Sequence, residues 1–226
     1  MRFLVIGAGG HGEEVAWSLQ EHERTQGRTC KISFFDDRVP RGPLPSGLGA
    51  VEGTLDDVGK KTHDDDVRLV LGVGLPRTKA AVVDRLAALG PRWATVVHPS
   101  AVIGPNVSLG EGSYVAAGAI LTVNVSIGRF ATVNLHCLVA HGGVLGDFVT
   151  LHPDTHLSGD ARVGDGVELG AGAILIPGTR VGSWAVVGAG AVAVRSLAGG
   201  KTYAGIPARE LERERRPGRT VPIAED

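Results

Sequence analysis

The stretch LTVNVSIGRFATVNLHCLVAHGGVLGDFVTL, residues 121–151, decides the fold, because an aliphatic residue returns at every sixth position. The same register continues without an insertion from Val97 to Val187, and the fourth residue after each aliphatic is small or valine. A step of six matches neither the 3.6-residue period of a helix nor a long alternating strand. It matches a short strand followed by a turn, and three such units close a triangular coil. We therefore predict a parallel β-helix of the hexapeptide-repeat type over residues 96–195.

The interior of this coil is predicted to hold stacked aliphatic side chains, with the small residues turned inward near the corners. An aromatic content of only 4% agrees with such an interior. Glycine often follows the aliphatic, as in IGPNVS and VGDGVE. We attribute these glycines to corners that need a positive φ.

Residues 1–95 have a different pattern, in which strands alternate with helices, and this predicts a small parallel α/β, Rossmann-like domain. GAGGHG, residues 7–12, lies at a strand-to-helix turn, where backbone N–H groups can face an anion. Asp36 and Asp37 follow the second strand, about 25 residues further on, where a ribose or base partner would lie. The alternative is a plain surface turn with two solvated acids.

Composition excludes several classes of protein. The formal net charge is -1, with 23 basic and 24 acidic residues, so we expect no nucleic-acid partner. Two cysteines provide neither a disulfide framework nor a metal-type pairing. Without a secretory signal or an apolar stretch of about 20 residues, we expect a cytoplasmic protein with no membrane partner. Residues 196–226 are predicted to form a C-terminal segment and a charged tail, which is helical or frayed from Glu210 to Arg216 and disordered over the last ten residues.

Five motifs together carry a resemblance: GAGGHG, FFDD, HPSAVIG, AH followed by VLGDFV, and AGIPAR. From residue 1 to about 209 the chain resembles the hexapeptide-repeat acyltransferases, and more narrowly the sialic-acid O-acetyltransferase / nucleotide-amino-sugar N-acetyltransferase family. The resemblance implies a left-handed coil and a homotrimer. It also implies acetyl-CoA as co-substrate between neighbouring β-helices, with the C-terminal segment 196–226 on the CoA side. A nucleotide-linked amino sugar would be bound on the N-terminal domain.

The resemblance also assigns expected roles to individual residues. The nucleotide-sugar residues would be Gly9, Gly10 and His11 at the phosphates, Asp36 and Asp37 at the base or ribose, and Gly72 in the pocket wall. The cofactor residues would be Thr150 near the acetyl group and Ala171 and Ala189 along CoA. The catalytic residues would be His141 as general base and Gly159, one coil later, whose N–H faces the thioester oxygen.

His141 is the second residue after Val139, so the register puts its side chain on the outside of the coil. An imidazole there can reach a ligand in a groove between subunits and can exchange a proton near neutral pH. The expected reaction is direct transfer, in which the sugar amine attacks the thioester while His141 accepts its proton. Members of the family usually carry an acid immediately after this histidine, whereas this chain has Gly142. Either another carboxylate takes the place of this acid beside His141, or the acceptor amine loses its proton to a weaker base.

Three alternatives remain at this stage. The first is an O-acetyltransferase that acts on a sugar or sialic-acid-like hydroxyl, and the second is a catalytically inactive assembly or sugar-binding protein. The third is a γ-carbonic-anhydrase-like metal site, because His136 and His141 have H-x4-H spacing. A zinc site of that kind needs a third protein ligand. The position in register holds Ser100, and His98 is out of register by two, so we expect no metal.

Two further histidines lie in the same region of the coil. His152 and His156 are expected to be solvated corner residues, although either could still border the acceptor pocket.

Overall fold

The fold is that of a computed structural model, which describes residues 1–62 and 66–211. The predictions made for the charged tail as far as Arg216 and for the last ten residues therefore lie outside the described residues. None of the described helices is long and apolar enough to cross a membrane.

The N-terminal part is a five-stranded sheet flanked by helices. Its strands lie in the order β3-β4-β2-β1-β5, and all neighbours are parallel except β3 and β4. Strands β1, β2 and β5 are almost continuously buried, as expected for a parallel sheet covered on both faces. The strands are β1 Arg2–Ile6, β2 Lys31–Phe35, β3 Gly42–Pro43, β4 Ala50–Gly53 and β5 Val67–Leu71. The α-helices are α1 Gly10–Thr25 and α2 Pro76–Leu86, and the 3-10 helices are Leu55–Lys61 and Ala87–Leu89.

The second part is a left-handed parallel β-helix, so the predicted fold class is confirmed. Its two-residue strands pair in parallel with the strand 18 positions away, as Ile120 does with Leu138. The first face contains β6 Val96–Val97, β9 Tyr114–Val115, β12 Thr132–Val133, β15 Thr150–Leu151, β18 Glu168–Leu169 and β21 Val186–Val187. The second face contains β7 Val102–Ile103, β10 Ile120–Leu121, β13 Leu138–Val139, β16 His156–Leu157, β19 Ile174–Leu175 and β22 Val192–Ala193. The third face contains β8 Ser108–Leu109, β11 Ser126–Ile127, β14 Val144–Leu145, β17 Arg162–Val163 and β20 Arg180–Val181. Strands β23 Thr202–Ala204 and β24 Arg209–Glu210 extend the first face.

The aliphatic at every sixth position forms the core of the β-helix, as predicted. From Leu121 to Val187 each of these side chains is almost completely buried, and most of the small residues between them belong to the same cluster. Ile103, in the first coil, is 40% exposed because no earlier coil covers it on this face.

The glycines that follow the aliphatic have a different cause from the one expected. The residue with a positive φ is the third after the aliphatic, not the glycine that directly follows it. Asn124, His136 and Trp184 occupy this third position, and in other coils it is a glycine. Gly104, directly after its aliphatic, has no such φ, but a Cβ on it would overlap the carbonyl oxygen of Thr122 in the next coil. The explanation by positive φ is therefore wrong at this position, and the glycine permits close stacking of the coils.

The N-terminal domain packs against the first face of the β-helix through a column of outward side chains spaced 18 residues apart, namely Tyr114, Thr132, Thr150 and Glu168. Tyr114 shares a hydrogen bond of 2.9 Å with Ser18 of α1. The Thr150 hydroxyl donates to the carbonyl oxygen of Gly74, just after β5, at 2.6 Å. These contacts fix the carboxyl end of the sheet against the β-helix.

Lys79 of α2 is the most deeply buried charged residue of this seam, with 1% of its surface exposed. Its Nζ donates to the carbonyl oxygen of Val149 at 2.9 Å and to the Thr132 hydroxyl at 3.2 Å. Burial lowers the pKa of Lys79 to about 7, against a smaller raising effect from the Glu168 charge. The seam therefore contains an amine that can lose its proton near neutral pH.

Candidate active site at the domain seam

A cavity of about 670 Å³ lies between the carboxyl edge of the N-terminal sheet and the first face of the β-helix. This edge is where open parallel sheets commonly bind ligands. The wall from the N-terminal domain includes Gly7, Gly9, His11, Asp36, Asp37 and Gly72, and the wall from the β-helix consists of Asn134, Thr150 and His152.

The glycine turn brings the start of α1 close to the strands. A Cβ on Gly72 would lie 2.9 Å from both the Gly12 Cα and the Gly7 carbonyl oxygen, so the backbones meet without room for side chains. Gly9 and Gly10 differ, because a Cβ on either would meet nothing within 4 Å. The space above them is open, and the positive end of the α1 dipole lies beside it.

His11, in the first turn of α1, lines the cavity and has one ring nitrogen without a protein partner in the described part of the chain. Its Nδ1 lies 3.6 Å from the Glu14 carboxylate, and the ring packs edge-on against Tyr114. Its Nε2 is buried and has no hydrogen-bond partner among the described residues. This nitrogen has almost no accessible surface, so a polar ligand group in the cavity reaches it only if the ring turns.

The two acids after β2 line the cavity, and both are already engaged with the protein. Desolvation raises the pKa of Asp36, but backbone N–H donors, with Ala8 at 2.8 Å the first of them, outweigh it and lower the pKa overall. Asp37 accepts the N–H of Leu55 and the guanidinium of Arg85, and these bonds lower its pKa. Asp36 thus ties the glycine turn to the end of β2, and both carboxylates stay ionised at the cavity wall.

From the sequence, His152 was expected to be a corner residue with the alternative that it borders the acceptor pocket, and Glu168 was not assigned a role. His152 Nε2 lies 2.9 Å from Glu168 Oε1, and this hydrogen bond lowers the pKa of Glu168. His152 therefore borders the cavity as part of a pair rather than as a solvated corner residue. The 18-residue column that ends in Glu168 is visible in the sequence and could have indicated this face.

His141 lies outside the cavity of its own chain. It belongs to the corner between the second and third faces, and its exposed ring covers Gly159 in the next coil, where a Cβ would overlap the ring. The Gly159 N–H has no hydrogen-bond partner among the described residues. The candidate base and the candidate oxyanion donor therefore lie next to each other at one edge of the prism.

Gly142 has a φ of +69°. A Cβ there would overlap the carboxylate of Asp160, which lies 18 positions further on. Asp160 therefore supplies negative charge next to Gly142, although it makes no ion pair with the His141 ring.

Ala171 and Ala189 are exposed and lie at successive turns of the corner between the first and second faces. His152 belongs to the same corner, one coil earlier. Thr150, predicted near the acetyl group, is 1% exposed and lies inside the seam. The candidate cofactor positions and His141 therefore lie at different edges of one prism.

The H-x4-H pair does not converge in this chain. His136 belongs to the corner between the first and second faces, and its nearest acid is Asp154 at 3.8 Å. His98 is buried and shares a hydrogen bond with Ser100. Within residues 1–62 and 66–211, no group of three or more His, Cys, Asp or Glu residues could hold a metal ion.

Comparison with known proteins identifies the family to which the chain belongs. Residues 2–86 match the model of the PglD N-terminal domain. The acetyltransferase domain of PglB from Neisseria gonorrhoeae, solved with acetyl coenzyme A, is 34% identical with a TM-score of 0.85, over 93% of this chain and 98% of that one. A variant of perosamine N-acetyltransferase from Caulobacter crescentus, solved with CoA and GDP-perosamine, is 31% identical with a TM-score of 0.83, over 94% and 97%. WeeI from Acinetobacter baumannii is 29% identical with a TM-score of 0.83, over 93% and 100%. Among curated proteins, none matches this chain.

An N-terminal domain of this type followed by a left-handed β-helix defines an acyltransferase of the hexapeptide-repeat class. Within that class, the chain belongs to the nucleotide-amino-sugar N-acetyltransferase family, as its motifs predicted.

Proposed function

We propose that the protein is an acetyl-CoA-dependent N-acetyltransferase that acts on a nucleotide-linked amino sugar. The observation that carries the proposal is the seam cavity, which has a helix N-terminus and two ionised acids on one side and the β-helix on the other. Family members that match almost the whole chain were solved with CoA, acetyl-CoA or GDP-perosamine.

In this proposal the nucleotide-linked sugar lies along the carboxyl edge of the sheet. Asp36 and Asp37 accept hydrogen bonds from the ribose or base, and the diphosphate lies over Gly9 and Gly10 at the start of α1. His11 lies beside the same group, in the first turn of α1. The sugar then extends past Gly72 and Gly74 towards the β-helix.

The acetyl group passes directly from the thioester to the amine. The amine nitrogen attacks the thioester carbonyl, a C–N bond forms, and His141 accepts the proton that nitrogen loses. The Gly159 N–H stabilises the oxyanion, an interaction that typically lowers a barrier by about 3 kcal/mol. The C–S bond then breaks, and CoA leaves as the thiolate.

The site is completed by a neighbouring copy of the chain, and we propose a homotrimer. His141 and the seam cavity belong to different edges of one prism, so a single chain does not bring them together. An adjacent prism that presents its His141 edge to this cavity would enclose CoA between the two. Light scattering should therefore give three chains per particle, and a monomeric mass would contradict the proposal.

A CoA-release assay with UDP-, dTDP- and GDP-linked amino sugars and their hydroxyl counterparts tests the reaction. We expect turnover with an amino sugar, and turnover with hydroxyl sugars alone would indicate O-acetylation instead. His141→Asn should reduce the rate by orders of magnitude while CoA still binds. His22→Asn is the matched control, since that histidine lies in the last turn of α1, at the opposite end of the helix from the cavity. Near-normal turnover of His141→Asn would refute the assignment of the base.

A further inference from the structure

The imidazole of His152 is held in one orientation before any ligand binds. The backbone N–H of His152 donates to Leu169 at 2.9 Å, and its carbonyl accepts from the Thr155 hydroxyl at 2.6 Å and from the Cys137 thiol at 3.1 Å. The ring is then fixed by the Glu168 carboxylate. With 34% of its side chain exposed, His152 still presents part of the ring to the cavity.

The pairing with Glu168 determines which ring nitrogen can serve a ligand. An ionised carboxylate only accepts hydrogen bonds, so His152 Nε2 carries the hydrogen that Glu168 receives. In the neutral ring, Nδ1 is then an acceptor. Nδ1 has no hydrogen-bond partner among the described residues, which leaves it available for a donor in the cavity.

The position of His152 along the cavity indicates which part of a ligand it meets. The sheet order β2-β1-β5 puts Asp36 first, then the glycine turn, then Gly74. The Thr150 hydroxyl donates a hydrogen bond to Gly74, and His152, two residues after Thr150, continues the cavity wall on the β-helix. A nucleotide-linked sugar has its base and ribose, its diphosphate and its sugar in the same order.

We propose that His152 is the residue that recognises the sugar ring of the acceptor, through a hydrogen bond from a sugar donor group to Nδ1. Glu168 is the positioning residue that holds the ring for this contact. The inference rests on the proposed function, since it takes a nucleotide-linked sugar as the ligand.

Paired calorimetric titrations test it, with UDP, dTDP and GDP on one side and the corresponding amino-sugar nucleotides on the other. His152→Ala should weaken binding of the amino-sugar nucleotide about 3- to 10-fold, the value of one neutral hydrogen bond. Binding of the parent nucleoside diphosphate should be unchanged. In the acyl-transfer assay, KM for the acceptor should rise by a similar factor while kcat stays within about twofold. Glu168→Gln should give the same pattern with a smaller loss, and His22→Ala, in the last turn of α1, should change nothing.

Three outcomes would overturn the inference. Equal loss for sugar nucleotide and diphosphate would mean that His152 only supports the seam. No loss for either would mean that the ring does not contact the ligand, and a collapse of kcat would make it a reaction group. Circular dichroism of each variant distinguishes these outcomes from misfolding. A wild-type protein that binds none of the nucleotides would instead refute the proposed function itself, before any variant is measured.

Discussion

Replacing the buried Lys79 by methionine should change how the stability of the protein depends on pH. The folded protein holds the pKa of Lys79 at about 7 through burial, whereas the ordinary value is 10.5. Between these two values the unfolded chain binds more protons than the folded one, so the free energy of unfolding increases with pH. Below about pH 7 both states are protonated, and the full destabilising effect of the buried charge is present.

The size of the effect follows from the same two values. At about 1.36 kcal/mol per pKa unit, the full gap corresponds to about 5 kcal/mol. Raising the pH from about 7 to about 9 should increase the free energy of unfolding of the wild type by roughly 2 kcal/mol, because the buried amine loses its charge. Lys79→Met has no such amine and should not show this increase. The variant also loses the hydrogen bonds to Val149 and Thr132, a change that is the same at both pH values.

Urea unfolding at both pH values, at one fixed protein concentration, measures this difference. The free energy of unfolding of the wild type should gain about 2 kcal/mol relative to Lys79→Met on going to the higher pH. Lys31→Met is the control, because Lys31 is exposed at the start of β2 and its loss should leave the pH dependence unchanged. Parallel pH profiles for the wild type and Lys79→Met would refute the argument that the seam buries a titrating amine.

Other substitutions test the site and the core. Gly159→Ala should displace the His141 ring, because the new Cβ overlaps it, and should abolish most CoA release while the melting temperature stays within a few degrees; full activity would contradict the observed stacking. Leu157→Ala should lower the free energy of unfolding by about 2 to 5 kcal/mol through loss of burial and a cavity, as measured in urea, and a loss below about 1 kcal/mol would argue against a rigid prism. Asp36→Ala should lower it by about 1.5 to 3 kcal/mol, because three backbone N–H groups lose a charged acceptor, and an unchanged unfolding curve would show that water replaces the carboxylate.

The sequence was sufficient to predict the β-helix because its fold repeats a local rule. Each aliphatic from Leu121 onward stacks on the residue 18 positions away, so one period determines both the strand length and the inward face. The same periodicity put His141 correctly on the outside of the coil. The alternating strands and helices of the first 95 residues were equally visible, because buried parallel strands read as continuous apolar runs.

The contacts across the seam could not be read from the sequence, because they join residues far apart in the chain. Lys79 contacts Thr132 and Val149, and no pattern in α2 distinguishes this lysine from a solvated one. For His152 the sequence offered either a corner residue or a border of the acceptor pocket, and the contact with Glu168 in the next coil could not be read from its position. The glycines after the aliphatics were noticed but given the wrong cause, since backbone spacing between coils is a property of the folded prism.

The third residue after the aliphatic, which has a positive φ, has a consequence for how the sequence of such a protein can evolve. Asparagine, aspartate, histidine, phenylalanine and tryptophan all occupy it alongside glycine, and none of these side chains belongs to the aliphatic cluster inside the prism. Side chains at this position can therefore be exchanged without altering the aliphatic stack, but a glycine such as Gly166 is required where a bulky residue, here Trp184, lies against it in the next coil.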